Sequence, residues 1–358
     1  MSPVEIAAPR TPDFFAERLL DWFDRAGRHD LPWLHPRTPY RVWLSEIMLQ
    51  QTQVRTVIPY FQRFLAAFPE LPDLAAASLD DVLAQWSGLG YYARARNLHA
   101  SARLCVALHG GDLPRDFEAL VALPGIGRST AGAILAQAWG DPFPILDGNV
   151  KRVLARYHGI AGWPGLPAIE KQLWALAQAH VPGIRMADYT QAQMDLGATL
   201  CTRSDPACML CPVQSGCVAL REGTVAELPT PRPGKTLPER STLMLLAQND
   251  AGEVLLQRRP PVGIWASLWS LPEAGDHDAA RTWFHAHLDG DYEQPESLPE
   301  VPHVFSHYRL RMQPLRWHGA RAGNAVRDDA NLRWVARADL PSLGLPAPVR
   351  RLLENTPI

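Results

Sequence analysis

Hydrophobic residues recur every three or four positions through most of residues 13 to 220, which predicts a mostly helical region. The segment PDFFAERLLDWFDRAG has this spacing, and VWLSEIMLQQTQVRTVIPYFQRFLAAF predicts one or two helices with an interruption near Pro59. Shorter helices are predicted at 79–86, 92–109, 116–122, 128–138, 149–158, 168–179 and 187–198. Since alternating β-branched runs are scarce here, we expect an all-helical domain over residues 1–220.

The pattern changes beyond residue 220. The segment EGTVAELPTPRPGKTLPER has four prolines and little apolar periodicity, which is typical of a linker and predicts one at 221–237. Beyond it, STLMLLAQNDAGEVLLQRRP predicts two strands joined by a turn at Asn249–Gly252. Residues 303–317 and 331–340 also favour strands. We therefore expect a second, α+β domain over residues 238–358.

Composition limits the class of protein. The 358 residues are 47% hydrophobic and 20% charged, which excludes global disorder and a coiled coil. No run of about 18 apolar residues occurs, so we expect no membrane span. The first residues lack a basic stretch followed by an apolar one, so we expect no secretory signal and a cytoplasmic protein. With a net charge of −2, any nucleic-acid site has to be a local positive surface.

Four of the five cysteines lie within 17 residues, and Cys105 stands apart. In a reducing compartment such a cluster favours metal binding over disulfides. Four thiolates suit either a tetrahedral zinc ion or a [4Fe–4S] cluster, and their spacing leaves both open. The protein fills every ligand position, which indicates a structural centre. The predicted ligands are Cys201, Cys208, Cys211 and Cys217.

The segment LPGIGRSTAGAI, residues 123–134, predicts a tight turn between two helices. Gly125 and Gly127 permit a sharp hairpin and a close approach of the backbone. The second helix is predicted to begin at about Arg128, where free N–H groups suit a phosphate oxygen. The alternatives are a plain hairpin between helices and a hairpin whose carbonyls hold a monovalent cation.

Two carboxylates stand in unusual contexts. Glu46 lies in the apolar helix segment VWLSEIML, where burial would raise its pKa and make it a usable general acid. The alternative is an exposed glutamate on a polar face. Asp147 lies in FPILDGNVKRVLAR, between an apolar run and a predicted helix. Its alternative role is a helix N-cap, worth about 1 kcal/mol.

Several motifs occur together in one order: LPW (31–33), SEIMLQQTQV (45–54), GLGYYARARNL (88–98), LPGIGRSTAGAI, ILDGNVKRVLAR (145–156) and the cysteine loop. In this combination the chain resembles the MutY family of adenine DNA glycosylases. The resemblance implies a helix-hairpin-helix glycosylase fold over most of 13–220. It also implies that the loop 201–217 holds a [4Fe–4S] cluster rather than zinc.

The resemblance extends to the second domain. MutY proteins carry a C-terminal domain that is similar to Nudix hydrolases and reads 8-oxoguanine. The residues Phe305, Ser306 and His307 resemble the family's FSH loop, which implies that Ser306 contacts 8-oxoguanine. A Nudix hydrolase needs Arg-Glu, two residues and Glu-Glu on its metal-binding helix, and no such string occurs in 238–358. We therefore expect a domain that binds a base in DNA and hydrolyses no nucleotide.

The reaction that the resemblance implies is hydrolysis of the adenine–deoxyribose bond, opposite 8-oxoguanine or guanine. Adenine has to leave the base stack to be reached. A protonated Glu46 gives its proton to N7 of the base, and an ionised Asp147 stabilises the oxocarbenium, through charge or a transient covalent bond. Asn149 resembles the residue that supports this pair.

Ser129 bears on the class of glycosylase. Bifunctional relatives of the endonuclease III type place a lysine after the hairpin glycines, and that lysine forms a Schiff base with the sugar. The corresponding residue here is Ser129, whose hydroxyl cannot form an imine. We therefore expect a monofunctional enzyme with weak or absent strand cleavage.

Further residues resemble contacts to the DNA and the adenine. Gln51 is similar to a side chain that fills the base stack, and Thr52 to one that touches 8-oxoguanine. Leu89 and Tyr91 resemble residues beside the lesion, with Tyr91 as a wedge into the duplex.

Leu31 and Trp33 resemble residues of the adenine pocket, and simple core packing is the alternative for Trp33 and Tyr91. His29 and Leu34 depart from the residues that the family often has at the rim of this pocket.

The expected partner is thus double-stranded DNA with an A:8-oxoguanine or A:G mispair, bound by a monomer near the nucleoid. Three other functions compete with this one. A glycosylase/lyase for oxidised pyrimidines is disfavoured by Ser129 and the second domain. A non-catalytic iron–sulfur lesion sensor would need neither Glu46 nor Asp147. A nucleotide pyrophosphatase would need the acidic helix that residues 238–358 lack.

Overall fold

The computed structural model describes residues 14–234, 236–289, 292, 294–323, 326 and 329–356. The chain divides into two compact units. The first unit comprises residues up to 62, 70–72 and 100–234, and the second comprises 63–69, 73–99 and the residues from 235 onward. The domain limits 1–220, 221–237 and 238–358 stay a prediction.

Helices make up the regular structure of the chain as far as residue 222, as the apolar periodicity predicts. They are α1 (Phe14–Ala26), α2 (Pro39–Leu49), α3 (Val54–Ala67), α4 (Leu71–Ala76), α5 (Leu79–Trp86), α6 (Ala93–Leu108), α7 (Phe117–Ala122), α8 (Arg128–Trp139), α9 (Gly148–His158), α10 (Pro167–Ala179), α11 (Met186–Asp195) and α12 (Val218–Glu222). The predicted helices are confirmed to within about three residues at their ends.

The interruption predicted near Pro59 is wrong. Pro59 lies inside α3, and the helical structure is instead interrupted between the end of α2 at Leu49 and the start of α3 at Val54. Gln51, in that break, has a φ of 57°, a left-handed conformation that ends a helix and turns the chain. No glycine marks this turn, which is why the sequence pattern missed it.

The core of the first unit lies between α1, α8, α9, α10 and α11. Phe15, Leu19, Leu154 and Tyr189 are fully buried there. Burial of side chains of this size supplies about 1.5–3 kcal/mol each. This core fixes α8 and α9, which carry several of the residues described below.

The described part of the second unit contains three sheets. Its strands are β1 (Glu239–Ala247), β2 (Val254–Arg258), β3 (Trp269–Ser270), β4 (Glu273–Ala274), β5 (Leu288–Asp289), β6 (Glu296–Ser297), β7 (Val301–Val304), β8 (Arg309–Trp317), β9 (Arg321–Ala322) and β10 (Leu332–Val335). Its C-terminal helices are α13 (His277–His287) and α14 (Ala347–Asn355). The α+β prediction is therefore confirmed.

The largest sheet has the order β4-β1-β8-β6, with β7 also paired to β8. Strands β1 and β8 run parallel, with Leu243 opposite Gln313. A second sheet has the order β10-β2-β3, and a third consists of β5 paired with β9. The predicted turn between β1 and β2 is confirmed by the bond from the Gly252 amide to the Asn249 carbonyl at 3.0 Å. The two strands then separate into different sheets.

Residues 73–99 pack within the second unit. The Tyr92 hydroxyl donates to the Leu345 carbonyl at 2.8 Å, and Arg350 donates to the Ser87 hydroxyl at 2.9 Å. The GLGYY segment is thereby tied to the C-terminal residues. No helix in the described part of the chain is long and apolar enough to cross a membrane.

Candidate active site

Glu46 lies on α2 and faces α8. The residue keeps partial solvent exposure, yet burial of its carboxyl group and, to a smaller extent, the nearby Asp147 carboxylate together raise its pKa to about 7. The Gln137 side-chain amide donates to Glu46 Oε1 at 2.9 Å and opposes this shift. The carboxyl therefore titrates close to neutral pH, as a general acid has to.

Asp147 is the N-cap of α9. Its carboxylate accepts the Val150 amide proton at 2.7 Å. Burial raises the pKa of Asp147, while the amides of Val150 and Asn149 and the charges of Arg152 and Lys151 lower it. The capping role that the sequence offered as an alternative is thus present, and it supplies the hydrogen bonds that favour the carboxylate form.

The segment that leads into Asp147 is held against α8. Ser129, in the first turn of α8, accepts the Leu146 amide proton on its hydroxyl at 2.9 Å. At Gly132 a Cβ would lie 2.5 Å from the Pro144 carbonyl oxygen, so only glycine permits this approach. Two contacts with α8 therefore fix the position of Asp147.

Asn149 belongs to a second set of contacts. Arg152 donates to Asn149 Oδ1 at 2.9 Å, to the Gly197 carbonyl at 2.6 Å and to the Cys201 carbonyl at 2.7 Å. A Cβ on Gly197 would lie 2.6 Å from the Asn149 Cβ. Arg152 thus links the residues beside Asp147 to the first cysteine of the loop.

The predicted hairpin joins α7 to α8. Gly125 has a φ of 80°, which favours glycine. Gly127 is the N-cap of α8 without a side-chain cap bond, and a Cβ there would meet nothing within 4 Å. Gly127 therefore leaves the amide groups at the start of α8 uncovered, as anion binding requires.

The four clustered cysteines form no disulfide and line one cavity. Apolar side chains of Leu200, Leu220 and Val225 also line it. In the described part of the chain, no three His, Cys, Asp or Glu side chains converge closely enough to hold a single metal ion.

Arg156 organises the cysteine loop. Its buried guanidinium donates to the carbonyls of Thr202 at 2.6 Å, Arg203 at 3.1 Å and Leu228 at 2.8 Å. It also lies 3.4 Å from Cys201 Sγ. A buried charge is costly without such partners. Because the partners of Arg156 lie outside α9, keeping these bonds holds the loop in place against the helix.

In the second unit, Leu89 is buried and Tyr91 is 54% exposed. Gly88, Gly90 and Tyr91 have φ angles of 97°, 79° and 50°. Arg94 lies over the Tyr91 ring at 5.4 Å and donates to the Gly90 carbonyl at 3.1 Å. Tyr91 thus carries an exposed ring on a loop with three left-handed residues, and its role as a wedge stays a prediction.

The FSH residues form the turn between β7 and β8. The Phe305 amide donates to the Tyr308 carbonyl at 2.9 Å. Ser306 and His307 are exposed, with 3.4 Å between Ser306 Oγ and His307 Nδ1. Phe305 packs on Trp265 with 5.3 Å between ring centroids. The two polar side chains are therefore accessible to a ligand.

The remaining predicted residues of the first unit occupy contrasting positions. Gln51 is exposed in the left-handed conformation described above, and Thr52 is partly buried. Leu31 and Trp33 are 5% and 2% exposed, and the Trp33 ring packs on Phe61 at 5.4 Å. Their roles in binding adenine and DNA stay predictions.

Two features of the site were not predicted from the sequence. One is Gln137, and the other is the ion pair of Arg28 with Asp195, in which a guanidinium nitrogen lies 2.6 Å from a carboxylate oxygen. Asp195 is fully buried and also accepts the Arg28 backbone amide proton at 2.7 Å. A signal for Gln137 was present, because it is a polar residue in the otherwise apolar run AILAQAW. No sequence pattern marked Arg28 and Asp195, which lie 167 residues apart.

Two family models match the chain. Residues 44–179 match the HhH-GPD superfamily of base excision DNA repair proteins, and residues 242–355 match the NUDIX domain. The first match includes Glu46, Gln137, Asp147 and Asn149, and the second includes the hairpin with Ser306.

Curated relatives match over greater lengths. An adenine DNA glycosylase of Buchnera aphidicola subsp. Acyrthosiphon pisum is 36% identical, with 96% of this chain and 98% of the relative covered. A human adenine DNA glycosylase is 37% identical, with 84% of this chain and 66% of the human protein covered. Among solved structures, a thermostable thymine-DNA glycosylase matches 58% of this chain and 95% of its own, with 30% identity and a TM-score of 0.53.

Proposed function

The chain belongs to the MutY family of adenine DNA glycosylases, and we propose that it excises adenine mispaired with 8-oxoguanine or guanine, with Glu46 as general acid. As a member of this family it is a DNA N-glycosylase, a hydrolase of base excision repair. The observation that carries the proposal is the pairing of a carboxyl that titrates near neutral pH with a second carboxylate at a helix N-terminus.

Proton transfer begins the reaction. An adenine anion is a poor leaving group, so Glu46 gives its proton to N7 of the flipped base as the bond between N9 and C1′ breaks. The electron pair of that bond stays on N9, and adenine leaves uncharged. Glu46 is then a carboxylate, and the sugar carries the positive charge of an oxocarbenium.

Asp147 stabilises this positive charge. Two nearby carboxyls compete for one proton. The backbone amides and the cations of Arg152 and Lys151 stabilise the carboxylate form of Asp147. The proton of the pair therefore resides on Glu46 and the charge on Asp147. Water then adds to C1′ and gives its proton to Glu46, which restores the acid and leaves an abasic site.

Ser129 agrees with a monofunctional reaction. Its hydroxyl accepts the Leu146 amide proton, and it provides no amine to attack C1′. Release of adenine is therefore expected without strand cleavage. The uncovered amides of α8 behind Gly127 suit a DNA phosphate.

Recognition of the opposite base is assigned to the second unit. Ser306 is exposed in a defined turn and offers a hydroxyl to 8-oxoguanine, and Tyr91 offers an exposed ring to the base stack. The helix α13 has the sequence HDAARTWFHAH, which contains one acidic residue, Asp278, and lacks the pattern of Arg-Glu, two residues and Glu-Glu that a Nudix hydrolase uses to bind metal. The unit is thus suited to binding.

A [4Fe–4S] cluster is proposed for Cys201, Cys208, Cys211 and Cys217. The four cysteines line one cavity, and their spacing resembles the one that the family uses for such a cluster. When bound, the cluster would cross-link the four cysteines of the loop to one another, and Arg152 and Arg156 tie that loop to α9. Iron and sulfide in equal amounts and a brown protein are expected, whereas a colourless protein with one zinc ion would overturn this assignment.

The function is tested with a duplex that contains one A:8-oxoguanine pair. Single-turnover incubation followed by alkali should reveal abasic sites, and Glu46→Gln should slow their formation by about 10²–10⁴-fold while binding persists. Because Glu46 has to be protonated, the wild-type rate should fall as the pH rises through about 7. The exposed Glu118→Gln is the control. Near-normal release by Glu46→Gln would exclude Glu46 as the acid.

A further inference from the structure

Gln137 is a buried amide with one notable contact. It lies in α8, where residues 131–137 are all buried, and it is 4% exposed. Its Nε2 donates to Glu46 Oε1 at 2.9 Å. Burial of an amide costs about 1–3 kcal/mol unless a hydrogen bond compensates it, and here the compensating partner is the proposed general acid.

The helix α8 holds both sides of the active site, the segment next to Asp147 and the Glu46 side chain. Ser129, at its beginning, fixes the amide next to Asp147, and Gln137, two turns later, holds Glu46. Because α8 belongs to the core of the first unit, both contacts have a rigid support. The separation of the two carboxyls is thereby set by one helix.

We propose that Gln137 is a positioning residue that orients the Glu46 carboxyl and sets its acidity, an inference that rests on the proposed role of Glu46. A glutamine side chain can accept a hydrogen bond from a carboxylic acid through its carbonyl oxygen or donate one to a carboxylate through its NH2 group. Gln137 therefore has a hydrogen bond to offer before and after Glu46 gives up its proton. Donation to the carboxylate stabilises the state that proton transfer produces.

The charges around Glu46 explain why a neutral donor is suitable. Asp147 is the charged group that acts on Glu46. On α8, Arg128 lies over the Trp174 ring at 3.9 Å, and on α2, Arg41 donates to the Pro32 carbonyl. A lysine or arginine in place of Gln137 would hold Glu46 as a carboxylate, whereas an apolar residue would leave burial and Asp147 unopposed.

The test is Gln137→Met, which keeps an unbranched side chain and removes the donor. Loss of the donor raises the pKa of Glu46, so the alkaline limb of the single-turnover pH profile should move to higher pH by about one pH unit. The plateau rate at lower pH should fall because the acid is weaker. Gln193→Met is the matched control, since Gln193 is 3% exposed and donates to the Tyr189 hydroxyl at 3.0 Å.

A direct titration separates this inference from the proposed function. The Glu46 carboxyl is followed by NMR in protein labelled with ¹³C at the glutamate carboxyl, with Glu46→Gln to assign its signal. A raised pKa in Gln137→Met, together with a shifted rate profile, supports the inference. An unchanged Glu46 pKa overturns it, whatever the rates do. A raised pKa with an unshifted rate profile would instead exclude Glu46 as the acid.

Discussion

The carboxylate pair and the FSH turn have opposite designs. Glu46 and Asp147 are partly enclosed, and each has a fixed partner, the Gln137 amide for one and the Val150 amide for the other. Ser306 and His307 are exposed at the end of a two-stranded hairpin, 3.4 Å from each other. One region restricts its side chains, and the other presents them.

This difference follows from what each region has to do. Two carboxyls need opposite protonation states at the same pH, and only burial and directed donors separate their pKa values. Recognition of a base needs donors that remain accessible until the base arrives. In the Ser306 turn the backbone is fixed by the Phe305–Tyr308 bond, while the hydroxyl remains exposed.

Asp147→Asn is expected to have the largest effect among the substitutions that compare the two regions directly. Asparagine caps a helix about as well as aspartate, so the melting temperature should change little. The single-turnover rate of adenine release should nevertheless fall by about 10²–10³-fold, because the negative charge beside the sugar is lost. Rates and melting curves are measured on the same preparations.

The matched control for Asp147→Asn is Asp116→Asn. Asp116 caps α7 through a bond from the Ala119 amide at 2.8 Å, so it shares the capping role without the proposed chemistry. Its rate should equal that of the wild type. Equal rates for Asp147→Asn and Asp116→Asn would reduce Asp147 to a structural cap.

Much of the fold follows from local signals in the sequence. Apolar spacing predicts the helices α5 to α11 because each of them buries one face or more against a neighbour. Proline and glycine mark the change to strands after residue 220. The break after α2 was missed, because Gln51 adopts a left-handed conformation that the sequence does not indicate.

The site is only partly accessible to such reasoning. Glu46 and Asp147 stand out because carboxyls are unusual beside apolar runs, and the cysteines because they cluster. Gln137 and the pair of Arg28 with Asp195 depend on contacts between residues 91 and 167 positions apart. Contacts across such distances come from tertiary packing, which periodicity does not specify.

Recognition of the opposite base has to be tested with a point substitution rather than with a deletion. Deletion of residues 238–358 would remove Leu345 and Arg350, the partners of Tyr92 and Ser87. The segment that carries Leu89 and Tyr91 would then lose packing within its own unit. In a truncated protein, the effect of losing Ser306 could therefore not be separated from the effect of a disturbed Tyr91 loop.

Ser306→Ala isolates the contact to the opposite base. We expect the preference for A:8-oxoguanine over A:G, measured as the ratio of binding affinities and of single-turnover rates, to fall by about 3–10-fold, the equivalent of one hydrogen bond. Release of adenine from A:G should be unchanged, because the carboxylate pair is intact. Ser342→Ala, at another serine of the second unit, should leave the ratio unaltered. A preserved preference in Ser306→Ala would show that the exposed hydroxyl does not distinguish 8-oxoguanine from guanine. The FSH turn would then no longer be the recognition site that contrasts with the enclosed carboxylate pair.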